Sequence, residues 1–352
     1  MVPVVDLSRR ATTQLDAFQA AVARVVSSGH FLLGPELEAL ESELAAWAGT
    51  RHAVGVGSGA GAIQLGLRAL GVEPGDEVIV PAFTAVPTAS AVAAVGAVPV
   101  PVDVERATAT LDAGAARAAV TQATKAVVPV HLYGRPAAAG DLGAPVLEDA
   151  AQAHGALTGV TGRAAIYSFY PTKNVGGIGD GGVVVTDDDD LAALVRRLRV
   201  HGMAEHYEHT AISQNFRLSE LEAAWLRLTL PGLPAANARR REIAHAYRRA
   251  APFLCWPADH PRHVYHLCVV RVPDRDQVRS CLAANGVATA VHYPLALTQQ
   301  PAYRSFARHH CPEAEAWAAS CVTLPCFPEL TDEEVATVCT ALERLWPARS
   351  GR

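Results

Sequence analysis

Short apolar runs alternate along the chain with longer stretches in which apolar residues recur every three or four positions. The strand-like runs fall at 53–56, 78–80, 98–100, 126–130, 146–147, 166–169 and 182–185, and helical spacing is clearest over 63–70. Such alternation predicts a mostly parallel sheet with helices on both faces. A helical segment over 218–230 and the basic stretch Arg239-Arg240-Arg241-Glu242 carry the chain out of this unit. Beyond about residue 240 the pattern becomes a short strand within 266–272, a helix over 276–285 and a terminal helix over 332–345. The predicted fold class is α/β, with a large domain over 1–240 and a smaller C-terminal α/β domain over 241–352.

At 352 residues the chain exceeds one ordinary domain and has ample material for a core. Only 18% of it is charged, the net charge is −5 and no long basic block occurs, which argues against nucleic-acid binding. The seven cysteines lie in the last third, are odd in number and lack a C-x-x-C pair, as expected of thiols in a reducing cytoplasm. No charged segment followed by an apolar core opens the sequence, and no run of about 18 apolar residues follows, so export and membrane spans are not expected. The run Asp187 to Asp190 reads as a solvated helix start rather than a metal site.

Two residues and a loop suggest chemistry. Lys173 lies in Ser168-Phe169-Tyr170-Pro171-Thr172-Lys173-Asn174, just ahead of a glycine-dense stretch. Asp149 ends the apolar run Pro145-Val146-Leu147-Glu148-Asp149. Singly, they read as a solvated lysine and a helix-capping aspartate. The loop Val54-Gly55-Val56-Gly57-Ser58-Gly59-Ala60-Gly61, followed by helical spacing, is a ready anion site of open backbone N–H groups with a hydroxyl from Ser58. Together they match the needs of pyridoxal phosphate: an amine to bond its aldehyde, a carboxylate to keep its ring nitrogen protonated, and a phosphate cradle. A dinucleotide fold is the rival reading of Gly55, Gly57 and Ala60. It wants an acid closing the second strand, where Pro81 stands instead.

The motifs Pro74-Gly75-Asp76-Glu77-Val78-Ile79-Val80-Pro81, Val130-His131-Leu132-Tyr133-Gly134, Glu148-Asp149-Ala150-Ala151-Gln152-Ala153-His154-Gly155 and the run from Ser168 to Gly182 occur in that order. In this the chain resembles the DegT/StrS-type sugar aminotransferases, over about residues 4–345. The resemblance implies the pyridoxal-phosphate transferase fold of type I, with Lys173 and Asp149 catalytic. It further implies Ser58, Gly59, Ala60 and Ser168 around the phosphate and Gln152 at the ring hydroxyl. Asn215 and Arg217 would reach a neighbouring subunit's phosphate in a homodimer. Tyr170, His292 and Tyr293 are the candidate substrate residues, although a buried structural histidine is the plain alternative for His292. The implied reaction moves an amine from glutamate or glutamine to a keto sugar carried on a nucleotide diphosphate. Val291-His292-Tyr293-Pro294 with Gln300-Pro301-Ala302-Tyr303 is similar to members acting at C-3 of a deoxy sugar.

Several positions depart from the family pattern. Ala60 replaces a threonine, Gly61 an acid and Glu222 a glutamine, while Ala85 stands where an aromatic ring usually stacks on the cofactor. Phe83, two residues earlier, is the expected substitute on the same strand face. The connections at 135–144 and 155–165 are short. The changes at Ala60 and Ala85 motivate a second reading, a catalytically silent sugar-nucleotide binder. Keto-cyclitols remain a third acceptor class. Relatives that dehydrate sugars carry histidine in place of the lysine, and Lys173 argues against that chemistry.

Overall fold

The computed structural model describes residues 1–345. Three helices, α1 (Leu7–Thr13), α2 (Leu15–Ser28) and α3 (Pro35–Ala48), precede the sheet. Then β1 (His52–Val56) leads into α4 (Gly59–Ala69), β2 (Glu77–Pro81) into α5 (Val86–Ala94), and β3 (Val98–Val102) into α6 (Ala113–Ala118). After these come β4 (Thr124–Val127), β5 (Leu147–Asp149), β6 (Ala164–Ser168), β7 (Gly182–Thr186) and α7 (Asp189–Arg199). A small hairpin of β8 (Met203–Glu205) and β9 (Glu208–His209) precedes α8 (Glu220–Thr229) and α9 (Leu233–Ala250). The remaining elements are β10 (Cys268–Arg271), α10 (Arg275–Ala284), α11 (Pro312–Ser320), β11 (Cys321–Leu324) and α12 (Asp332–Glu343).

Strands β3-β2-β4 pair in parallel, as do β5 and β6, whereas β7 pairs antiparallel with both β6 and β1. Parallel bridges Val127 to Val146 and Val130 to Asp149 join the two groups into one sheet, ordered β3-β2-β4-β5-β6-β7-β1. Only β7 is reversed, so the sheet is mostly parallel as predicted. The expected strand over 126–130 is cut short at Val127, because Pro129 has no N–H to donate and pairing resumes only at Val130. The acidic run caps α7: the Asp188 side chain accepts from Leu191 N, and Asp189 and Asp190 occupy the first turn.

Each sheet face has its own core. One packs α4, α5 and α7 through Ile63, Leu67, Val92 and Val195; the other packs α3 and α8 through Leu40, Leu44, Trp225 and Leu226. A third core gathers Tyr247, Val270, Val322 and Val338 around β10, β11 and α12, with Val2 from the start of the chain. Helix α9 spans the change, with Leu233 in the sheet core and Ile243, Ala244 and Tyr247 in the third. Residue 240 thus falls within a continuous helix rather than in a linker. No described helix is long and apolar enough to cross a membrane.

Candidate active site

Asp149, Ser168 and Ser58 all lie where strands β5, β6 and β1 end, at one edge of the sheet. Open α/β sheets bind ligands there. A cavity of about 580 Å³ opens at this edge, and Ser58, Gly59, Ala60, Ala85, Asp149, Gln152, Ser168, Tyr170, Lys173, His292 and Tyr293 line it.

One end of the cavity is an anion cradle. The Ser58 hydroxyl caps α4 by accepting from Gly61 N at 3.0 Å. Among the described residues no hydrogen bond engages the N–H groups of Gly59 or Ala60, so both remain for a guest at the positive end of the helix. Gly59 is required by packing, since a Cβ there would fall 2.6 Å from Ser168 Cβ. At Gly61 a Cβ would meet the Phe216 ring at 2.8 Å, so a larger residue there would require that ring to move.

Asp149 lines the same cavity. Its carboxylate is 4% exposed and accepts from Thr88 Oγ1 at 2.8 Å and from Ala151 N at 3.1 Å. The contact to Ala151 N is of the capping kind, yet a turn and no helix follows. Burial raises the Asp149 pKa, and the hydrogen bonds from Thr88 and Ala151 together with the charge of Lys173 oppose that rise. Lys173 reaches the same cavity, and burial lowers its amine to about 8, against the pull of Asp149. Its loop is clamped from outside by Arg10 of α1, whose guanidinium donates to Pro171 O at 2.7 Å and to Lys173 O at 3.2 Å.

The Gln152 carboxamide is fixed from both ends, accepting from Tyr133 N at 2.6 Å and donating to the Tyr293 hydroxyl at 3.0 Å. His292 pairs with Thr323 Oγ1 at 2.9 Å, and Tyr170 is 53% exposed at the rim. His266 also lines the cavity and is kept neutral by burial and by the nearby charge of Lys173.

Phe83 needs correction. Its side chain is fully buried and is not among the cavity-lining residues; it stacks on Trp317, with centroids 6.2 Å apart and planes at 26°. Strand β2 ends at Pro81 and residues 82–84 bend, so the alternation that would have kept Phe83 on the face of Ala85 has lapsed. Ala85 lines the cavity, at the start of α5. Asn215 and Arg217 also lie outside it. They bond to each other, Arg217 Nε donating to Asn215 Oδ1 at 2.9 Å, on a segment tied to the anion loop by Gly57 N to Phe216 O at 2.7 Å.

Several lining or bracing residues escaped the sequence reading, among them Thr88, Arg240, His266, Thr323 and Arg10. Only Arg240 left a signal, because Asn237, Arg240, Ala244 and Tyr247 repeat with helical spacing and all are buried.

The buried amine and carboxylate around one cavity, ending in a helix start with free N–H groups, fit pyridoxal phosphate in all three of its handles. A model of the DegT/DnrJ/EryC1/StrS aminotransferase family matches residues 13–343. The chain belongs to that family and is a pyridoxal-phosphate-dependent aminotransferase.

Among its relatives is the dTDP-3-amino-3,4,6-trideoxy-alpha-D-glucose transaminase of Streptomyces venezuelae, 43% identical over 99% of this chain and 97% of that one. The UDP-N-acetyl-3-dehydro-alpha-D-glucosamine 3-aminotransferase of Acidithiobacillus ferrooxidans is 40% identical over 97% of each. The crystal structure of S. venezuelae DesV in complex with a ketimine intermediate superposes with a TM-score of 0.93 at 41% identity, covering 99% of both chains.

Proposed function

We propose that this chain aminates C-3 of a nucleotide-linked keto-deoxyhexose, using glutamate or glutamine as donor, in the assembly of an amino sugar. The observation that carries the reading is that Lys173 and Asp149 line one cavity together with the Ser58-Gly59-Ala60 cradle of helix α4. The choice of C-3 is supported by the three-position named for the relatives from S. venezuelae, A. ferrooxidans and Aneurinibacillus thermoaerophilus.

When bound, pyridoxal phosphate supplies an aldehyde that takes up an amine and a ring that draws electrons from the reacting carbon. Ser58, Gly59, Ala60 and Ser168 would hold its phosphate and Asp149 its ring nitrogen. With a pKa near 8, Lys173 is neutral in a useful fraction of molecules around neutral pH, so its Nζ can accept a proton from a substrate carbon and return it. Thr88 and Ala151 keep the buried Asp149 carboxylate hydrogen-bonded and thereby favour its charge. Gln152, locked between Tyr133 and Tyr293, offers a fixed amide beside the ring position.

The experiment is a panel of 3-keto and 4-keto nucleotide sugars and keto-cyclitols, with the cofactor-loaded protein, glutamate or glutamine, and keto-acid release as readout. Turnover of a 3-keto nucleotide sugar is expected. Turnover confined to 4-keto sugars or cyclitols overturns the assignment, and a protein that never binds the cofactor is the silent binder.

A further inference from the structure

Arg240 is 5% exposed, lines the active-site cavity and forms no ion pair with any described carboxylate. Its Nη1 donates to Tyr265 O at 3.3 Å and to Cys326 O. Nε has no hydrogen-bond partner, and Nη2 makes none with any described residue. A buried cation is costly unless an anion completes it. Burial works against the charge of Arg240, the Cys326 thiol and the more distant Glu329 favour it, and Arg10 adds positive charge nearby.

We propose that Arg240 seats the carboxylate of the amino-acid donor, an inference that rests on the aminotransferase reading above. Three facts lead there. Lys173 and Arg240 are the only lysine and arginine among the described cavity-lining residues, and Lys173 is committed to the reacting carbon. The cofactor's phosphate has its own cradle at Ser58, Gly59 and Ala60. With Nη1 occupied, the unpartnered Nε and Nη2 form one edge of the planar guanidinium, and that edge matches the two oxygens of a single carboxylate. His266 and Thr323, which line the cavity as well, are neutral and leave the anion to the arginine.

A carboxylate on a uronic acceptor sugar offers the same chemistry, so the test separates the two sources. Wild type and Arg240→Met, both cofactor-loaded, are compared in three measurements: succinate binding by calorimetry, the donor half-reaction followed spectrally without any sugar, and the acceptor KM. Loss of a charge-assisted bidentate contact predicts about tenfold or greater weakening of succinate and of donor. Cofactor retention and acceptor KM should stay within about threefold, on the scale of a lost neutral contact. Unchanged donor binding overturns the proposal, as does an effect on a uronate acceptor alone. A uniform decline of donor, acceptor and cofactor binding would mark Arg240 as a strut and overturns it too. Should Arg240→Met not fold, Arg240→Lys keeps the charge but loses the planar edge. Donor binding weakened about 3- to 10-fold is then expected, with a stronger salt dependence, and wild-type donor binding in that variant overturns the proposal. Because the donor half-reaction needs no sugar, a wrong acceptor assignment leaves this result readable.

Discussion

A Cβ on Gly177 would lie 1.5 Å from Oε1 of Glu222. The carboxyl of α8 therefore fills the space that any larger residue in the lysine loop would need. Glu222 is 4% exposed, and its Oε1 has no hydrogen-bond partner. Burial pushes its pKa up to about 7, with Asp180 adding to the rise and the N–H groups of Gly179 and Ile178 opposing it. In the folded state the proton stays on after an unfolded glutamate has lost it, so this group's stability contribution is complete below the unfolded value. It is lost as pH climbs through about 7.

Glu222→Gln should remove that dependence. At pH 5 the variant and the wild type are expected to melt together. At pH 8.5 the variant should melt a few degrees higher, corresponding to a difference on the order of 2 kcal/mol. Melting curves at the two pH values decide the matter. An offset of equal size at both shows that Glu222 does not titrate in this range.

Thr88 should act through Asp149. Its hydroxyl donates to Oδ2 of a carboxylate that burial already drives toward neutrality. Thr88→Val leaves that acceptor short of a partner at a cost of about 1–3 kcal/mol, or roughly 5- to 150-fold in whatever depends on the charge. Cofactor affinity and the rate of the donor half-reaction should both fall, and Thr88→Ser should restore most of each. Wild-type cofactor affinity in Thr88→Val would show that the hydrogen bond does nothing for the ring site.

Phe83 belongs to a cluster with Trp317, Tyr133 and Tyr293 that joins the sheet to the C-terminal unit. Phe83→Ala is expected to cost about 3–5 kcal/mol of stability, in line with large-to-small changes in a packed core. The fraction that stays folded should bind cofactor as wild type does. Chemical denaturation and a cofactor titration distinguish this from the stacking role, for which binding would fail while stability held.

The parts of the fold and site that could be read from the sequence share a physical property. Ser58, Asp149, Ser168 and Lys173 sit at or just past strand ends, where an apolar run stops and a polar or glycine-rich segment begins, so a linear pattern marks them. Thr88 gives no such mark, because Val86-Pro87-Thr88 reads as an ordinary helix start and its value depends on a contact 61 residues away. Arg240 stands in a basic triplet whose sequence alone does not say which arginine turns inward, and only the packing of α9 buries it beside Asn237 and Ala244. Phe83 does not share the face of Ala85, because β2 ends at Pro81 and alternation does not hold across the bend at 82–84. Strand logic fails wherever the chain bends.

Asn215 and Arg217 give the last prediction. Both lie outside the cavity, on a segment whose backbone at Phe216 is anchored to Gly57 of the anion loop. The Arg217 guanidinium is oriented by Asn215 rather than by any described carboxylate. A polar, cationic pair held away from its own site is suited to an anion presented by a second copy of the chain, as the expected homodimer with shared sites would require. Asn215→Ala and Arg217→Ala should each lower cofactor retention, and each should be complemented by Lys173→Ala. In a mixed dimer one of the two sites then has a wild-type lysine and a wild-type Asn215-Arg217 pair, so random mixing should recover up to about a quarter of wild-type activity from two parents that have little. The measurement is activity after co-refolding the variants in equal amounts, with Lys173→Ala alone shown to be inactive. Absence of recovery, in a mixture that sizing shows to be dimeric, would mean that the pair serves its own protomer or none.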